Sequence, residues 1–381
     1  MKQHKLMFVY GFAIFAMFFG SGNLVFPLQL GQLVGKNWFL GFLGLFATGI
    51  FLPFLGLFVI KLHKGSYRSF FAEGGKIAGL ILPLFTLSLL GSFGVVPRCI
   101  TVAHGGMDYL FPGLSLTIFS LVFCLLTYVI CLKDNIMVEM IAKFMSPIKL
   151  TALAILIGVG IVYSPTISTG MPAVSALTEG VLIGYQTMDL FAAFFFSALV
   201  FNQIKAILPK TNDHHVIAKA ALSPSIVGAL MLAVVYLGFV FLGAHYSDLI
   251  QNVEPELMLP TIATYALNPS AAFIIGIAIV FSCLTTAVAL NNIYARYLVD
   301  TLKLKPSYFP IMLAGTTAVS FFISLLDFKG IAAFLAPALE VSYPGLIALT
   351  VLSIFIKDQK TLKKSVFYTI TFIMIAVKFL G

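Results

Sequence analysis

The sequence predicts an all-α polytopic membrane protein with about eleven transmembrane helices. Three observations predict it. Hydrophobic residues make up 60% of the 381 and charged residues only 10%, with a mean hydropathy of +1.05. Soluble domains are near half apolar and about a quarter charged, so one globular core cannot hide this much apolar surface. Apolar runs of spanning length recur from end to end, and the basic residues fall on alternate sides of them. A soluble enzyme, a nucleic-acid binder and a disordered chain are excluded at this step.

The segments are expected at 7–28, 38–60, 78–98, 114–132, 145–163, 181–204, 222–243, 271–291, 308–326, 331–356 and 365–380. The first follows Lys2 and Lys5 in the manner of a signal peptide, but its apolar run continues through Leu24, Val25, Phe26 and Leu28 and is long enough to span. The second, fourth and sixth segments each run up to a lysine, at Lys61, Lys133 and Lys205. The third ends in Pro97-Arg98, with Gly91, Ser92 and Gly94 before it. Arg98 either lines an outer vestibule or snorkels to the interface. The sixth is interrupted and the eleventh is short. The connections 164–180 and 244–270 contain Pro and Gly and suit short surface helices. Cys99, Cys124, Cys131 and Cys283 form no CxxC pair and are expected as buried free thiols.

Charge fixes the orientation. Nineteen of the 23 Lys and Arg residues fall before the first segment or after even-numbered ones, Lys149 among them; only Lys36, Arg98, Lys329 and Lys378 fall on the other side. The positive-inside rule then places the N-terminus in the cytoplasm, and Asp248, Glu254 and Glu256 outside. The net charge of +9 is topological, with a contribution from anionic lipid headgroups.

Five segments per unit gives an inverted-topology repeat: one unit over about 7–163, a second over about 181–356, and an extra helix at 365–380, all in one transmembrane domain. Two segments carry breaks in their own composition. Phe19-Gly20-Ser21-Gly22-Asn23 places two glycines and two backbone-competing polar residues inside the first, and Pro27 follows. Gly184-Tyr185-Gln186-Thr187-Met188-Asp189 interrupts the sixth. Unpaired backbone groups in lipid cost several kcal/mol each. Small-residue packing explains the first break alone, and a helix starting at Met188 explains the second alone. Their corresponding positions in the two units point instead to a midplane binding site. Ser282, Thr285 and Thr286 of the eighth segment add hydroxyls, which bond back to their own helix or serve a monovalent cation.

At these residues the sequence resembles the bacterial branched-chain amino acid transport system II carriers (LIVCS family). The matching stretches are Gly11–Gly31, Val96–Val102, Met145–Leu156, GYQTMD at Gly184–Asp189, Ser282–Leu290 and Tyr343–Ser353, in order over nearly the whole chain. The resemblance implies a LeuT-like five-plus-five fold of the amino acid–polyamine–cation superfamily with broken helices 1 and 6. It implies sodium-driven symport of leucine, isoleucine and valine, across the cytoplasmic (inner) membrane of a bacterium, with no cofactor beyond Na+ as coupling ion. Sodium would be held by the hydroxyls of Thr285 and Thr286 and the carbonyls of Ala16, Phe19 and Ser282; Asn23 resembles a polar group near the substrate carboxylate. Two departures stand out: twelve helices are common in the family, and Cys99 stands where a threonine is expected.

The mechanism expected is alternating access, not catalysis. The substrate carboxylate would face the half-helix N–H groups around Gly20, Ser21, Gly22 and Asn23. Its ammonium would meet carbonyls near Tyr185 and Gln186, beside Asp189. Its aliphatic side chain would pack against groups such as Phe191 and Phe194. One methylene is worth only about 1–3 kcal/mol, so the three branched-chain residues should compete. The alternatives are a proton-coupled transporter using Asp189 and a non-transporting sensor or scaffold on the same fold. No nucleic-acid partner is expected, and the sequence sets no oligomeric state.

Overall fold

The computed structural model describes residues 2–132, 146–167, 169–207, 214–356 and 358–380. Lys133, Lys143, Lys210 and Lys357, four of the charges used to orient the chain, lie outside the described residues. Among the described residues the chain is helical throughout, with one isolated backbone bridge between Gly35 and Gly170 and no named strand.

The first span is broken as its composition predicts. Helix α1 (Lys2–Phe18) and helix α2 (Ser21–Val34) meet at a bend of 71°. The second span joins α3 (Trp38–Phe46) to α4 (Leu52–Leu62) through a π-helical turn over Ala47–Phe51. That turn lies just ahead of Pro53, which brings no N–H to the helical ladder. After the short α5 (Tyr67–Phe71), α6 (Lys76–Leu90) and α7 (Val95–Asp108) form the third span with a turn at 91–94. Then come α8 (Leu116–Cys131) and α9 (Ser146–Val162). The next span is broken in its turn: α10 (Ala173–Gln186) and α11 (Asp189–Ile207) are bent by 46°. Helix α12 (His214–His245) follows, and the connection after it holds α13 (Ser247–Ile250) and α14 (Met258–Ala266). Four helices complete the chain: α15 (Pro269–Thr301), α16 (Phe309–Ser324), α17 (Asp327–Phe355) and α18 (Lys360–Leu380).

The expected segments fall on these helices, with corrections. Among the described residues, six helical stretches and two bent pairs are long and apolar enough to span; Leu116–Cys131 and Pro147–Val162 are shorter. Helix α18 carries Lys360, Lys363, Lys364 and Lys378 and lies along α17, where Lys378 pairs with Glu340. The third and eighth segments run about ten residues past their expected ends, to Asp108 and Thr301. Lys61 and Lys149, assigned to connections, are inside helices and buried.

Small residues set the closest approaches. A Cβ on Gly44 would strike the Leu177 carbonyl, and one on Gly180 that of Gly41, so α3 and α10 cross backbone to backbone. Gly31 and Gly243 bring α2 against α12 in the same way. Without a hydrophobic drive between helices in lipid, this close packing is what holds them. All four cysteines are buried and free. Exposed Leu121, Val122, Leu125, Leu126 and Val129 give α8 an apolar outer face suited to lipid.

Candidate substrate and cation site

The two breaks face one another. At the first, the Gly20 N–H donates to Asn23 Oδ1 at 3.0 Å, so Asn23 caps its own half-helix. The Asn23 amide then donates to Asp189 Oδ2 at 2.8 Å, and Tyr236 Oη of α12 donates to the same oxygen at 2.8 Å. Asn23 and Tyr236 also contact each other directly. Asn23, Asp189 and Tyr236 are all buried, so the carboxylate is held by neutral donors instead of water.

The second break is held by a cation from α7. Met188 has φ 60°, a left-handed conformation for a non-glycine residue, which costs about 1–3 kcal/mol. Its N–H donates to the Tyr185 carbonyl at 3.1 Å. Arg98 Nη1 donates to the Gln186 carbonyl at 3.1 Å, and Nη2 lies 2.9 Å from Met188 Sδ. Arg98 is completely buried, with its guanidinium over the Phe26 ring at 5.4 Å. It neither lines a vestibule nor snorkels. Nε of Arg98, Oε1 of Gln186 and Oη of Tyr343 are buried without hydrogen-bond partners. Tyr343 stacks on Tyr185 and Phe191, so all three atoms belong to the surroundings of this break.

A narrow cavity of about 10 Å³, room for about one water molecule, lies between the breaks. Its polar lining is Asn23, Thr187, Asp189 and Thr286; its apolar lining includes Phe18, Leu90, Val95, Ala192, Phe196 and Leu290. Leu90 and Val95 flank the turn at 91–94, so a third interrupted helix reaches the same point. Two aromatic expectations need correction. Phe191 stacks on Tyr343 at 4.5 Å, and Phe194 packs on Phe70 and Phe71 at 4.8 and 5.3 Å; neither lines the cavity. Phe18 and Phe196, whose rings meet edge to face at 5.1 Å, do. The carbonyl of Gln186, expected to receive the substrate ammonium, is taken by Arg98. Ser21 Oγ accepts from Cys99 Sγ at 3.5 Å, and Gly22 is packed near the Thr187 backbone.

Next to the first break, α15 meets α1. Ser282 Oγ donates to the Phe19 carbonyl at 2.9 Å and Thr286 Oγ1 to that of Met17 at 3.0 Å. Thr285 Oγ1 lies 3.2 Å from the Ala16 carbonyl and 2.8 Å from that of Ser282. The residues expected to hold sodium therefore do converge. What sequence reasoning missed is Lys149 of α9. Its Nζ lies 3.2 Å from the Ala16 carbonyl, 3.4 Å from the Phe19 carbonyl and 3.3 Å from Thr285 Oγ1. Three of the five expected ligand groups thus accept from an ammonium. A sodium ion among those oxygens would sit within roughly 4 Å of it. At an effective dielectric near 20, two like charges at that distance cost about 4 kcal/mol, roughly a thousandfold in affinity. In this arrangement the donor set does not fit a sodium ion.

Comparison with known proteins gives a consistent result. A family model described as "Branched-chain amino acid transport protein" matches residues 3–380. The chain is 30% identical over 368 residues to the branched-chain amino acid permease BraB of Bacillus subtilis, covering 92% of this chain and 80% of that protein. It is 27% identical over 357 residues to the branched-chain amino acid permease BrnQ of Corynebacterium glutamicum, covering 92% and 81%. Among solved structures it resembles Mhp1, a nucleobase-cation-symport-1 family transporter in a closed conformation. The TM-score is 0.67 at 16% identity, over 92% of this chain and 78% of that one. A Na+-coupled sialic acid symporter matches with a TM-score of 0.64 at 11% identity, over 92% and 79%. These similarities show a LeuT-like transporter fold.

Proposed function

Because the chain belongs to the branched-chain amino acid transport protein family, we propose that it imports leucine, isoleucine and valine across a bacterial cytoplasmic membrane by alternating access. The observation that carries this is the Asn23–Asp189 contact, which joins two half-helices at a buried cavity. The N-terminus is cytoplasmic in this reading, and the two five-helix units run over about 7–163 and 181–356.

A zwitterion with an aliphatic side chain suits the groups at the cavity. Its carboxylate faces the first-turn N–H groups of α2 at Ser21 and Gly22, which have no partner within the helix and carry the positive end of the dipole. Its ammonium goes to Asp189, in place of the Asn23 amide and the Tyr236 hydroxyl, because the Gln186 carbonyl is already bound by Arg98. Its side chain lies between Phe18, Ala192 and Phe196. The mutual bonding of Asn23, Asp189 and Tyr236 reads as a closed form. Substrate that replaces those bonds shifts the population toward another.

A positive charge belongs at the α1–α15 junction in every version of this mechanism. The carbonyls of Ala16 and Phe19 stand at the C-terminal end of α1, where the helix dipole is negative. Sodium symport through that junction requires Lys149 to leave it. The test of the transport reading is uptake of radiolabelled leucine by the purified chain in proteoliposomes, with unlabelled isoleucine, valine and alanine as competitors. Uptake suppressed by isoleucine and valine and little by alanine is the expected result. Absence of uptake for all of them, with the protein folded, would overturn it.

A further inference from the structure

We propose that the ammonium of Lys149 is the resident cation of the α1–α15 junction, so that the chain itself supplies the charge expected from a sodium ion there. Lysine's ammonium has three N–H donors and no acceptor. The junction offers it three acceptors within 3.4 Å: two main-chain carbonyls from the end of α1 and one hydroxyl from α15. The match is complete only for the charged form, since a neutral amine has one hydrogen fewer. The rings of Phe15 and Phe19 add faces at 5.6 and 5.7 Å from the nitrogen. Among the described residues no carboxylate pairs with it.

The side chain also does mechanically what an ion would do. An ion bound there ties the first break to α15. Lys149 ties the same two elements and adds α9, because it stands three residues after Ser146 in the first turn of that helix. Lys149 is wholly buried, so the charge is not exchanging with water at a surface. A cation that is part of the chain holds the junction whatever ions are present outside.

This inference rests on the transport reading only for its uptake arm. The first experiment needs no substrate: thermal unfolding of the purified full chain in sodium, potassium and choline chloride at equal ionic strength. Wild type is expected to unfold at the same temperature in all three, since an ion that binds only the folded state raises the midpoint and none is bound here. A sodium-selective rise in the wild-type midpoint overturns the proposal. Lys149→Ala empties the oxygens of Ala16, Phe19 and Thr285, and is expected to gain a saturable, sodium-selective rise. If Lys149→Ala does not fold, the wild-type comparison decides alone. The second experiment is leucine counterflow in liposomes. Rates equal within roughly twofold in sodium and choline support the proposal, and a dependence on sodium above about tenfold overturns it while leaving the transport reading intact. Leucine left unmoved in both salts, with no sodium-selective thermal shift, overturns the transport reading and leaves Lys149 as the cation.

Discussion

The Asn23 amide donates to the Asp189 carboxylate across 2.8 Å, linking two residues 166 positions apart and two half-helices that each end at the same cavity. Tyr236 shares that carboxylate oxygen. Two donors from two helices therefore converge on one carboxylate oxygen of a third, and of the three side chains only Asp189 is a carboxylate.

The first prediction follows from that carboxylate. Asp189→Asn keeps the shape and removes the partner for a substrate ammonium. Hydrogen bonds to charged groups are worth about 1.5–3 kcal/mol, so leucine binding should weaken by roughly ten- to a hundredfold. Tyr236→Phe removes a neutral donor and should change binding by less than about tenfold. Scintillation-proximity binding on both variants checks the order; equal losses would deny Asp189 its role.

The second concerns selectivity. Phe196 lines the cavity and Phe194 packs on Phe70 and Phe71. Phe196→Ala should therefore shift preference toward larger substrates such as phenylalanine, by at least the roughly tenfold that one pocket methylene provides. Phe194→Ala should leave the ranking alone and lower thermal stability by about 3–5 kcal/mol. Competition series against labelled leucine, read with melting curves, separate the two.

A third tests the helix crossing. Gly180→Leu sets a side chain into the Gly41 carbonyl, which is main chain and has nowhere to go. Overpacking costs about 1–3 kcal/mol and sometimes more. The variant should show a lowered midpoint in fluorescence-detected size exclusion, whereas Gly315→Leu, where a Cβ meets nothing within 4 Å, should behave as wild type.

The fourth is a pH dependence at Glu256, in the connection between α12 and α15. Burial pushes the Glu256 carboxyl above its ordinary range, with Glu254 and Asp327 raising it further, Lys329 opposing, and its own backbone N–H opposing as well. Its side chain packs against Gly105, and Oε2 has no partner. A carboxyl whose native pKa is raised binds more protons folded than unfolded, so stability falls as pH rises through and above the ordinary carboxylate range. Glu256→Gln should therefore raise the unfolding temperature at neutral pH, with the difference shrinking as pH drops through that range. A pH-independent difference would count against this account.

The two main breaks were legible in the sequence because their polar residues interrupt runs that lipid would otherwise keep apolar. Gly20 to Asn23 and Gly184 to Asp189 stand out on composition alone. The turn at 91–94 carries the same kind of signal in Gly91, Ser92 and Gly94, yet on composition those residues are equally a lead-in to Pro97-Arg98. The choice between Phe194 and Phe196 was not legible. Residues two apart on a helix lie on opposing faces, and the 46° bend sets which face meets the cavity. Lys149 was hidden for a different reason. It follows Pro147 at a helix start, where lysines ordinarily belong to the water side or snorkel to it. Only the approach of α1 and α15 turns that position inward.

The tether of Lys149 has an electrical consequence. A charge that never leaves the chain travels out and back with it, so over a full cycle it crosses the membrane field no net distance. Each diffusible ion carried inward contributes about 2.3 kcal/mol per 100 mV; a lysine contributes nothing. With a zwitterion as cargo, a carrier whose junction is filled from within draws no work from the membrane voltage through that position, and its cargo distributes there as it would across an uncharged bilayer.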